Sequence, residues 1–600
     1  MKIALLHSTN PSRKAAVNKD LNGGLGTADE YGRSLGGRLL TFLKRKYVCL
    51  PVVSIAHIQA ILKRQGHAVE YFEDRLPCEP FDVALLLGSL VDLQNENRIA
   101  AETKRRFPNS RVGVFGPFPA RFPGQYPATD FVIGGEAEAF FLECGAERML
   151  CEDGLIRNDA TLDLNDLPAP DYSGFPIERY SYAPMLPRRP YLPLLASKGC
   201  PYSCRFYCSY GEYQGPRIRQ RRAELVYADL RYVARAYGAR SVQFRDPLFG
   251  MDRSWVLDFC QLLIERPLDV EWGMETRADL LTPELLERMH AAGLRSVNLG
   301  VETGDARIAK ANRRKLVDDD HQTMILEHAK RIGVRINAFF MLGLEGDTPE
   351  SMRATADFAL AADPTAARFS VSTPYPGTGF YEQLARENRL NGAPLEQHNQ
   401  FTLVHKHPNL TPLQVERALV RAYLRFYLRP TYIAKTAFGV WRSNSRLFAD
   451  NRRRAPDATA VPATIGPAGG VRTASAADIA TGSSGLFRKM EEYFGRLSGQ
   501  LRQVEMTLMQ ADARQLDQFV RHLEQRSAIE PAKNRATPGT FKNGAASRPV
   551  RVGLPMLDRN GEDAEQSLRT MRTEVAQLTR QVRLFAEHHA DAAQTAHSVS

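Results

Sequence analysis

The chain has 600 residues and a mass of 67.2 kDa, more than one hydrophobic core usually organises, so we expect about two to four domains. Its 79 lysines and arginines exceed its 68 aspartates and glutamates by 11, a modest surplus that indicates no nucleic-acid partner. Eight cysteines exclude a disulfide-stapled secreted protein, no apolar stretch approaches the ~20 residues of a transmembrane segment, and the N-terminus lacks a signal-peptide pattern. We therefore predict a cytoplasmic multidomain protein.

The first 150 residues alternate short apolar runs with helical patterns. The predicted strands are Lys2–His7, Ala68–Phe72, Asp82–Leu87, Val112–Phe115 and Phe131–Ile133. Apolar strands between helices predict an α/β domain over 1–150 with a Rossmann-like, doubly wound parallel sheet, which binds ligands beyond the carboxyl ends of its strands. The turns at those ends contain small residues that let a ligand approach the backbone: Gly88, Ser89, Gly116, Pro117, Gly134, Gly135 and Glu136.

A second alternation of strands and helices extends over residues 191–385, after a proline- and tyrosine-rich connector at 151–190. Its predicted strands are Pro193–Ala196, Ser241–Phe244, Glu271–Met274, Ser296–Leu299, Arg335–Leu342 and Arg368–Ser372. Consecutive βα units predict a partial (βα)6 barrel, in which the loops after the strands carry the chemistry.

The rest of the chain has a different composition. We predict a helical C-terminal subdomain over 386–450, a flexible linker over 451–485, and amphipathic, coiled-coil-like helices over 486–600 with a loose segment at 530–562. The simpler interpretation of the last helices is a solvated extension that packs on the enzyme or self-associates with a second copy. A specific partner-binding device is the alternative.

Three of the eight cysteines lie close together, on the loop after the first predicted barrel strand. The sequence there is Ser197-Lys-Gly-Cys200-Pro-Tyr-Ser-Cys204-Arg-Phe-Tyr-Cys208. Three thiolates on one loop can hold three irons of a [4Fe–4S] cluster and leave the fourth iron free to chelate a small molecule. Structural zinc, which normally takes four ligands, and unrelated buried cysteines are the alternatives, and no fourth Cys or His lies nearby.

This loop resembles the signature of the radical S-adenosylmethionine (SAM) superfamily, which has an aromatic residue before the third cysteine. The usual spacing is C-x3-C-x2-C, whereas this chain has C-x3-C-x3-C. Later segments resemble further motifs of the superfamily, in order: Phe244-Arg-Asp246-Pro-Leu-Phe249, Glu275-Thr-Arg277, Gly300-Val-Glu302 and Met341-Leu-Gly343. The resemblance implies that Cys200, Cys204 and Cys208 hold the cluster, and that SAM contacts Tyr207, Asp246, Arg277, Glu302 and Gly343.

Residues 1–150 resemble the cobalamin (B12)-binding domain that precedes the barrel in one radical SAM subfamily. The similar residues are Pro51-Val-Val-Ser54, Gly66-His67 and the small-residue turns described above. The resemblance implies cobalamin contacts at Gly88, Ser89, Gly116, Pro117, Gly134, Gly135 and Glu136. No D-x-H-x-x-G motif is present, so we predict no histidine as the lower ligand of the cobalt. A Rossmann-like domain kept only for packing is the alternative.

The resemblance implies an enzyme with three cofactors: a [4Fe–4S] cluster, SAM and cobalamin. The leading function is methylation of an unactivated carbon in a small-molecule, lipid or natural-product precursor, through a 5′-deoxyadenosyl radical and methylcobalamin. The expected electron donor is a protein such as flavodoxin or ferredoxin. Cobalamin-linked radical cyclisation, rearrangement or oxidation would use the same three cofactors and is the alternative enzymatic function. From another class, a non-catalytic assembly protein that relies on the C-terminal coiled coil is the alternative. No residue is singled out as catalytic.

Overall fold

A computed structural model describes residues 1–429 and Tyr432, apart from Lys14, Arg33, Gly145 and Leu316. The predicted linker at 451–485 and the predicted helices at 486–600 lie outside the described residues. The described residues form two parallel six-stranded sheets, each covered by helices. The predicted parallel α/β fold is therefore confirmed. No helix in this part of the chain is long and apolar enough to cross a membrane.

The first sheet contains the five predicted strands and one more. In chain order the strands are β1 (Lys2–His7), β2 (Ala68–Glu73), β3 (Val83–Leu87), β4 (Arg111–Phe115), β5 (Phe131–Ile133) and β6 (Gly154–Ile156). Their order across the sheet is β2-β1-β3-β4-β5-β6, and all neighbours pair in parallel. Strand β6 lies within the range predicted as a connector, because three residues are too short a run to show a periodic pattern.

Helices cover both faces of this sheet, which explains why β3 is buried along its whole length. The helices are Leu35–Tyr47, Val53–Arg64, Leu93–Arg106, Pro117–Arg121, Ala137–Cys144 and Arg148–Cys151. The helix Leu35–Tyr47 had no predicted counterpart, because Gly36 and Gly37 in its first turn disfavour a helix. The side chain of Ser34 caps this helix by accepting a hydrogen bond from the Gly37 N–H.

The second sheet contains six strands in chain order. They are β7 (Tyr191–Leu194), β8 (Ser241–Phe244), β9 (Glu271–Thr276), β10 (Leu294–Glu302), β11 (Arg335–Leu342) and β12 (Ala366–Val371). All neighbours pair in parallel. Among the described residues no ladder joins β7 to β12, so the sheet stays open, as in a partial barrel.

Helices follow the strands of the second sheet, and several begin at a Thr or Asp cap. The longer helices are Ala223–Ala236, Arg253–Glu265, Pro283–Ala291, Asp319–Ile332, Pro349–Ala362 and Pro412–Tyr427. The shorter ones are Tyr210–Tyr213, Ala306–Ala311 and Gly379–Arg386. Of the predicted 386–450 subdomain, the helix Pro412–Tyr427 is described, and most of the range beyond it lies outside the described residues.

Residues 17–28, here called the cover segment, cross the carboxyl edge of the first sheet. The ends of this segment pair with each other as two short antiparallel strands, Val17–Asn18 and Thr27–Ala28. Its Leu25 carbonyl accepts a hydrogen bond of 3.1 Å from the Leu90 N–H, just beyond β3. The Asn22 side chain donates to the Tyr375 hydroxyl at 2.8 Å, so the segment also contacts the second sheet's loops.

Lys19 of the cover segment is fully buried between two carboxylates. Its Nζ lies 2.7 Å from Glu96 Oε1 and 3.1 Å from Asp92 Oδ2, and all three side chains are 0% exposed. Burial alone would lower the pKa of Lys19, but the two carboxylates raise it above its ordinary value. Asn10, after β1, donates to Asp92 at 2.7 Å. This ion group therefore fills the point between β1 and β3 where sheets of this order bind ligands.

Two buried histidines make stability depend on pH. Burial lowers the pKa of His57 to about 3 and that of His405 to about 3, so both are neutral when folded. Because their ordinary value is about 6.5, the unfolded chain binds more protons below that pH, and stability is lost as the pH falls from about 6.5 towards about 3.

At pH 5.5 each histidine should contribute about 1.4 kcal/mol less to the free energy of unfolding than it does at pH 8. We expect the Tm to fall between these pH values, and to fall less in His57→Gln than in the wild type. Thermal unfolding at both pH values measures this, and equal falls in the two proteins would contradict it.

Candidate active site

A cavity opens at the carboxyl ends of the barrel strands, where βα folds place their chemistry. The cysteine loop and the ends of β9 and β10 supply one side of its lining: Cys200, Cys204, Tyr207, Cys208, Arg277, Glu302 and Arg314. Asn18, Leu21 and Asn22 of the cover segment line the cavity as well. Residues from both halves of the described chain therefore enclose one site.

The cysteine loop is fixed at its start by a short antiparallel ladder. Ser197–Lys198 pairs there with Arg219–Gln220. Gly199 follows with φ +95°, and a Cβ at this position would lie 2.0 Å from a backbone oxygen, so only glycine fits. The Cys200 N–H then donates to the Gly215 carbonyl at 3.0 Å. The backbone of the first cysteine is thus held before any ligand binds.

The second and third cysteines belong to one tight turn. The Cys208 N–H donates to the Cys204 carbonyl at 2.9 Å, across the 3-10 turn Ser203–Phe206. The longer second interval of the motif is accommodated in this turn. Burial raises the pKa of the Cys204 thiol to about 11, so the thiols are neutral until metal binding displaces their protons.

The three thiols are not grouped for a single metal ion. Among the described residues, no three His, Cys, Asp or Glu side chains are placed as they would be around one ion. Structural zinc would draw all of its ligands onto one centre. A [4Fe–4S] cluster instead takes one thiolate on each of three different irons, and one cavity holding three thiols fits that requirement.

Glu302 stands at the end of β10 in a strained backbone conformation. Its φ is +75°, and the pairing with β11 shifts register between Gly300 and Glu302. Such a conformation costs about 1 kcal/mol or more in a residue other than glycine and persists only where its surroundings impose it. Arg314 does so here: its guanidinium lies 3.4 Å from the Glu302 carboxylate and donates to the Gly300 carbonyl at 2.7 Å.

One amino group of the Arg277 guanidinium has no hydrogen-bond partner among the described residues. Its Nε donates to Asp279 at 2.8 Å, one Nη donates to the Lys315 carbonyl at 3.0 Å, and its guanidinium lies 4.3 Å from the centre of the Tyr202 ring. The other amino group, Nη1, is buried without a hydrogen-bond partner among the described residues. An unsatisfied buried guanidinium donor is unfavourable, and a ligand carboxylate is the group that would satisfy it.

Replacing Arg277 with leucine should therefore weaken SAM binding by about 10- to 100-fold, the range expected when a charge-assisted hydrogen bond is lost. Equilibrium dialysis of radiolabelled SAM against the anaerobically reconstituted protein measures the affinity. Arg288→Leu is the control and should bind SAM as the wild type does, because the half-buried Arg288 side chain donates to Gln261 and does not line the cavity. Unchanged affinity in Arg277→Leu would contradict the assignment.

The other residues predicted to contact SAM have different positions. Tyr207 is buried and lines the cavity with the cysteines. Asp246 is not part of the lining: its carboxylate accepts hydrogen bonds from the Ala196 N–H at 2.8 Å and the Ser197 hydroxyl at 2.6 Å, and burial raises its pKa to about 7. Gly343 also lies outside the lining, in contact with Leu403 and Val415. The structure thus brings Tyr207, Arg277 and Glu302 together.

The first two turns predicted to contact cobalamin, Gly88-Ser89 and Gly116-Pro117, pack against other parts of the same chain. Ser89 is fully buried, and its N–H donates to Glu96 Oε2 at 2.9 Å. A Cβ at Gly116 would lie 2.8 Å from the Gly88 carbonyl oxygen. Pro117 packs directly on Gly24 of the cover segment. These turns are therefore covered by residues from the same chain.

The third turn, Gly134-Gly135-Glu136, contacts residues 156–158 and Arg219, which belongs to the ladder at the start of the cysteine loop. Glu136 pairs with Arg219 at 2.5 Å. The Gly134 N–H donates to the Ile156 carbonyl, and a Cβ at Gly135 would lie 2.3 Å from the Asn158 oxygen. This turn thus couples the first sheet to the ladder that fixes the cysteines.

Buried charges at the inner wall of the cavity were not among the predicted site residues. Arg245 lies 3.3 Å from Asp20 of the cover segment. Arg368 lies 3.1 Å from Asp29, and burial raises the pKa of the Glu275 carboxyl. Charged residues at the ends of otherwise apolar strands were the available signal, but their partners are more than 200 residues away in sequence.

Comparison with known proteins finds similar sequences and a similar structure. Residues 194–359 match the Radical SAM superfamily. An uncharacterized methyltransferase of Pyrococcus horikoshii is 27% identical over 328 residues, which are 52% of this chain and 70% of the relative. The anaerobic magnesium-protoporphyrin IX monomethyl ester cyclase of Rubrivivax gelatinosus is 26% identical over 271 residues, and the match covers 45% of this chain but only 47% of the cyclase.

A solved structure shares the fold. It is the radical S-adenosylmethionine methyltransferase TsrM of Kitasatospora setae with cobalamin and a [4Fe–4S] cluster bound. The TM-score is 0.50 at 14% identity, and the match covers 71% of this chain and 89% of TsrM. Residues 194–359 of the present chain therefore form a radical SAM domain.

Proposed function

We propose that the protein is a radical SAM methyltransferase that methylates an unactivated carbon of a small-molecule, lipid or natural-product precursor. The observation that carries the proposal is the single cavity shared by three cysteines with Tyr207, Arg277 and Glu302. The match to the Radical SAM superfamily and the methyltransferase names of similar proteins support it. The oxygen-sensitive cluster fits a reducing cytoplasm, which we propose as the location.

A cluster held by Cys200, Cys204 and Cys208, with SAM beside it, would supply radical chemistry that removes hydrogen from an unactivated carbon. The chain's own residues hold and shield this chemistry. In this proposal Arg277 binds the SAM carboxylate, which is supported by its unpartnered buried Nη1. Glu302, which pairs with Arg314, accepts a hydrogen bond from an amino or hydroxyl group of SAM. Asp246 is a positioning residue that holds the start of the cysteine loop. The cover segment contributes Asn18, Leu21 and Asn22 to the lining and would help to shield the chemistry from water.

Cobalamin is the methyl carrier that the resemblance and the solved neighbour suggest. Its proposed contacts are Gly88, Ser89, Gly116, Pro117, Gly134, Gly135 and Glu136. With the cover segment in its present position the turns at Gly88-Ser89 and Gly116-Pro117 are covered, and Lys19 fills the crevice between β1 and β3. Cobalamin does not fit against these two turns in this arrangement, so binding there would require the cover segment to move.

A radical cyclase, or an enzyme of radical rearrangement or oxidation, is the second candidate. The similarity to the Rubrivivax cyclase favours it, since cyclisation uses the same cluster and SAM site without transferring the methyl group of SAM. The fate of that methyl group therefore separates the two candidates.

The test is anaerobic turnover of the reconstituted full chain with trideuteromethyl-SAM, hydroxocobalamin and a reductant. An extract of the producing cells supplies the substrate, and mass spectrometry detects the products. A product heavier by one trideuteromethyl group supports the methyltransferase. Formation of 5′-deoxyadenosine with a changed but unlabelled product supports the second candidate. Near-zero iron after reconstitution would overturn both and favour a non-catalytic assembly protein.

A further inference from the structure

Four exposed cations surround a shallow surface pocket beside the cysteine loop. They are Arg307, Lys310, Arg313 and Lys315, here called the basic collar. Ser203, next to Cys204, and Arg314 line the same pocket. None of the described residues that line it is acidic. The collar is thus a concentrated positive patch on a chain whose overall surplus of positive charge is modest.

The collar is attached directly to the turn that contains Cys204. The short helix Ala306–Ala311 ends at Asn312, and Arg313 follows with φ +54°, a left-handed conformation that turns the chain back. The Ser203 hydroxyl donates to the Arg313 carbonyl at 2.8 Å. The Arg313 guanidinium lies 4.5 Å from the centre of the Phe206 ring. A partner on the collar would therefore rest against the cysteine loop itself.

Most of the charge on the collar remains available to a partner. Lys310 and Arg313 form no ion pair with any described residue. Arg307 pairs with Asp305 and Lys315 pairs with Asp279, but the Arg307 and Lys315 side chains are 89% and 63% exposed, and water and salt weaken such surface pairs.

The helix dipole does not account for the whole collar. It favours cations at the C-terminal end of Ala306–Ala311, which explains Lys310 and Arg313. It disfavours a cation in the first turn, where Arg307 stands. The acidic start of the next helix, at Asp318 and Asp319, lines a separate pocket beyond Lys315. A docking role for the collar accounts for all four cations.

We infer that the basic collar docks a small acidic one-electron carrier protein of the flavodoxin or ferredoxin kind. The inference rests on the proposed function, because the cluster needs one electron from outside for each SAM that is cleaved. In the step the reduced carrier loses one electron and the cluster gains it, and no bond forms or breaks. Transient redox complexes bury under about 1,200 Å² and depend on charge steering, so a compact patch of four cations is of suitable size.

The test uses the full chain carrying Arg307→Glu and Lys310→Glu, which leaves the cluster loop and the SAM contacts intact. A second variant, Arg313→Gln, probes the cation over Phe206. The control carries Arg105→Glu and Arg106→Glu, two exposed cations at the end of the helix Leu93–Arg106. Formation of 5′-deoxyadenosine is measured with reduced flavodoxin, and separately with photoreduced 5-deazariboflavin, which is small and uncharged.

With flavodoxin, kcat/KM should fall by about tenfold or more in the double variant, and less in Arg313→Gln. The rate with deazaflavin should stay at the wild-type value in both variants, and the control should match the wild type with either reductant. An unchanged flavodoxin dependence in the double variant would overturn the inference, and so would equal losses with both reductants.

Direct binding supplies a readout that does not depend on turnover. Oxidised flavodoxin should bind the wild type more tightly at about 50 mM than at about 300 mM salt, because screening weakens exposed charge pairs. The double variant should lose most of this binding and of its salt dependence. If the wild type cleaves no SAM with either reductant, the proposed function fails and the binding measurement alone decides whether the collar docks the carrier.

Discussion

Replacing Cys200, Cys204 or Cys208 singly with alanine should lower SAM cleavage by about 10³-fold or more if, as we propose, each thiolate holds a different iron of the cluster. The three thiols lie on one loop and line one cavity. We expect the reconstituted variants to lose most of their iron and sulfide as well. Iron analysis and quantification of 5′-deoxyadenosine measure both effects.

Cys78→Ala is the matched control, because Cys78 is exposed and belongs to neither the cavity nor the core. It should keep the iron content and the activity of the wild type. Wild-type iron in Cys208→Ala would contradict the assignment and would mean that the longer second interval of the motif excludes this thiol from the cluster.

Lys19→Met should be among the most destabilising single changes in the first domain. It removes the only cation within 4 Å of Asp92 or Glu96 among the described residues and leaves two buried carboxylates facing each other. Breaking a buried ion pair in this way costs about 3–5 kcal/mol. We expect the Tm to fall by several degrees in thermal unfolding.

The control for this prediction is Lys104→Met, since Lys104 forms a partly exposed pair with Asp130 at 2.6 Å. Such a pair is worth about 1 kcal/mol or less, so its loss should hardly change the Tm. Adding Asp92→Asn and Glu96→Gln to Lys19→Met should recover part of the lost stability, because it removes the unpaired charges. If Lys19→Met unfolds like the wild type, the ion group does not hold the cover segment in place.

Eleven of the twelve strands in the two sheets could be predicted, because each is a largely apolar run between helices; β6 is too short to show such a pattern. The sequence of β3, Val-Ala-Leu-Leu-Leu, is unambiguous, and all five residues are buried. The cover segment could not be predicted, because Asn-Gly-Gly-Leu-Gly has no periodicity and its partners are distant in sequence. Asn22, for example, contacts Tyr375, 353 residues later in the chain. Local patterns do not encode such contacts.

The site was predictable where a motif is continuous and not where an interaction is long-range. The three cysteines, Arg277 and Glu302 stand in recognisable local motifs and line one cavity. Asp246 also belongs to a motif, yet its side chain holds the backbone of the cysteine loop, and no pattern reveals the direction in which a side chain points. Arg314 was missed because its role depends on the strained backbone at Glu302.

The cover segment builds part of a radical chamber from side chains that themselves carry hydrogen atoms a radical can remove. Leu21 and Asn22 line the same cavity as the cysteines, and Leu21 offers a tertiary C–H bond. When substrate is absent, these protein C–H bonds would therefore be hydrogen sources inside the cavity. Repeated idle turnover would oxidise this wall and inactivate the enzyme from within, so the substrate protects the protein as well as being transformed by it.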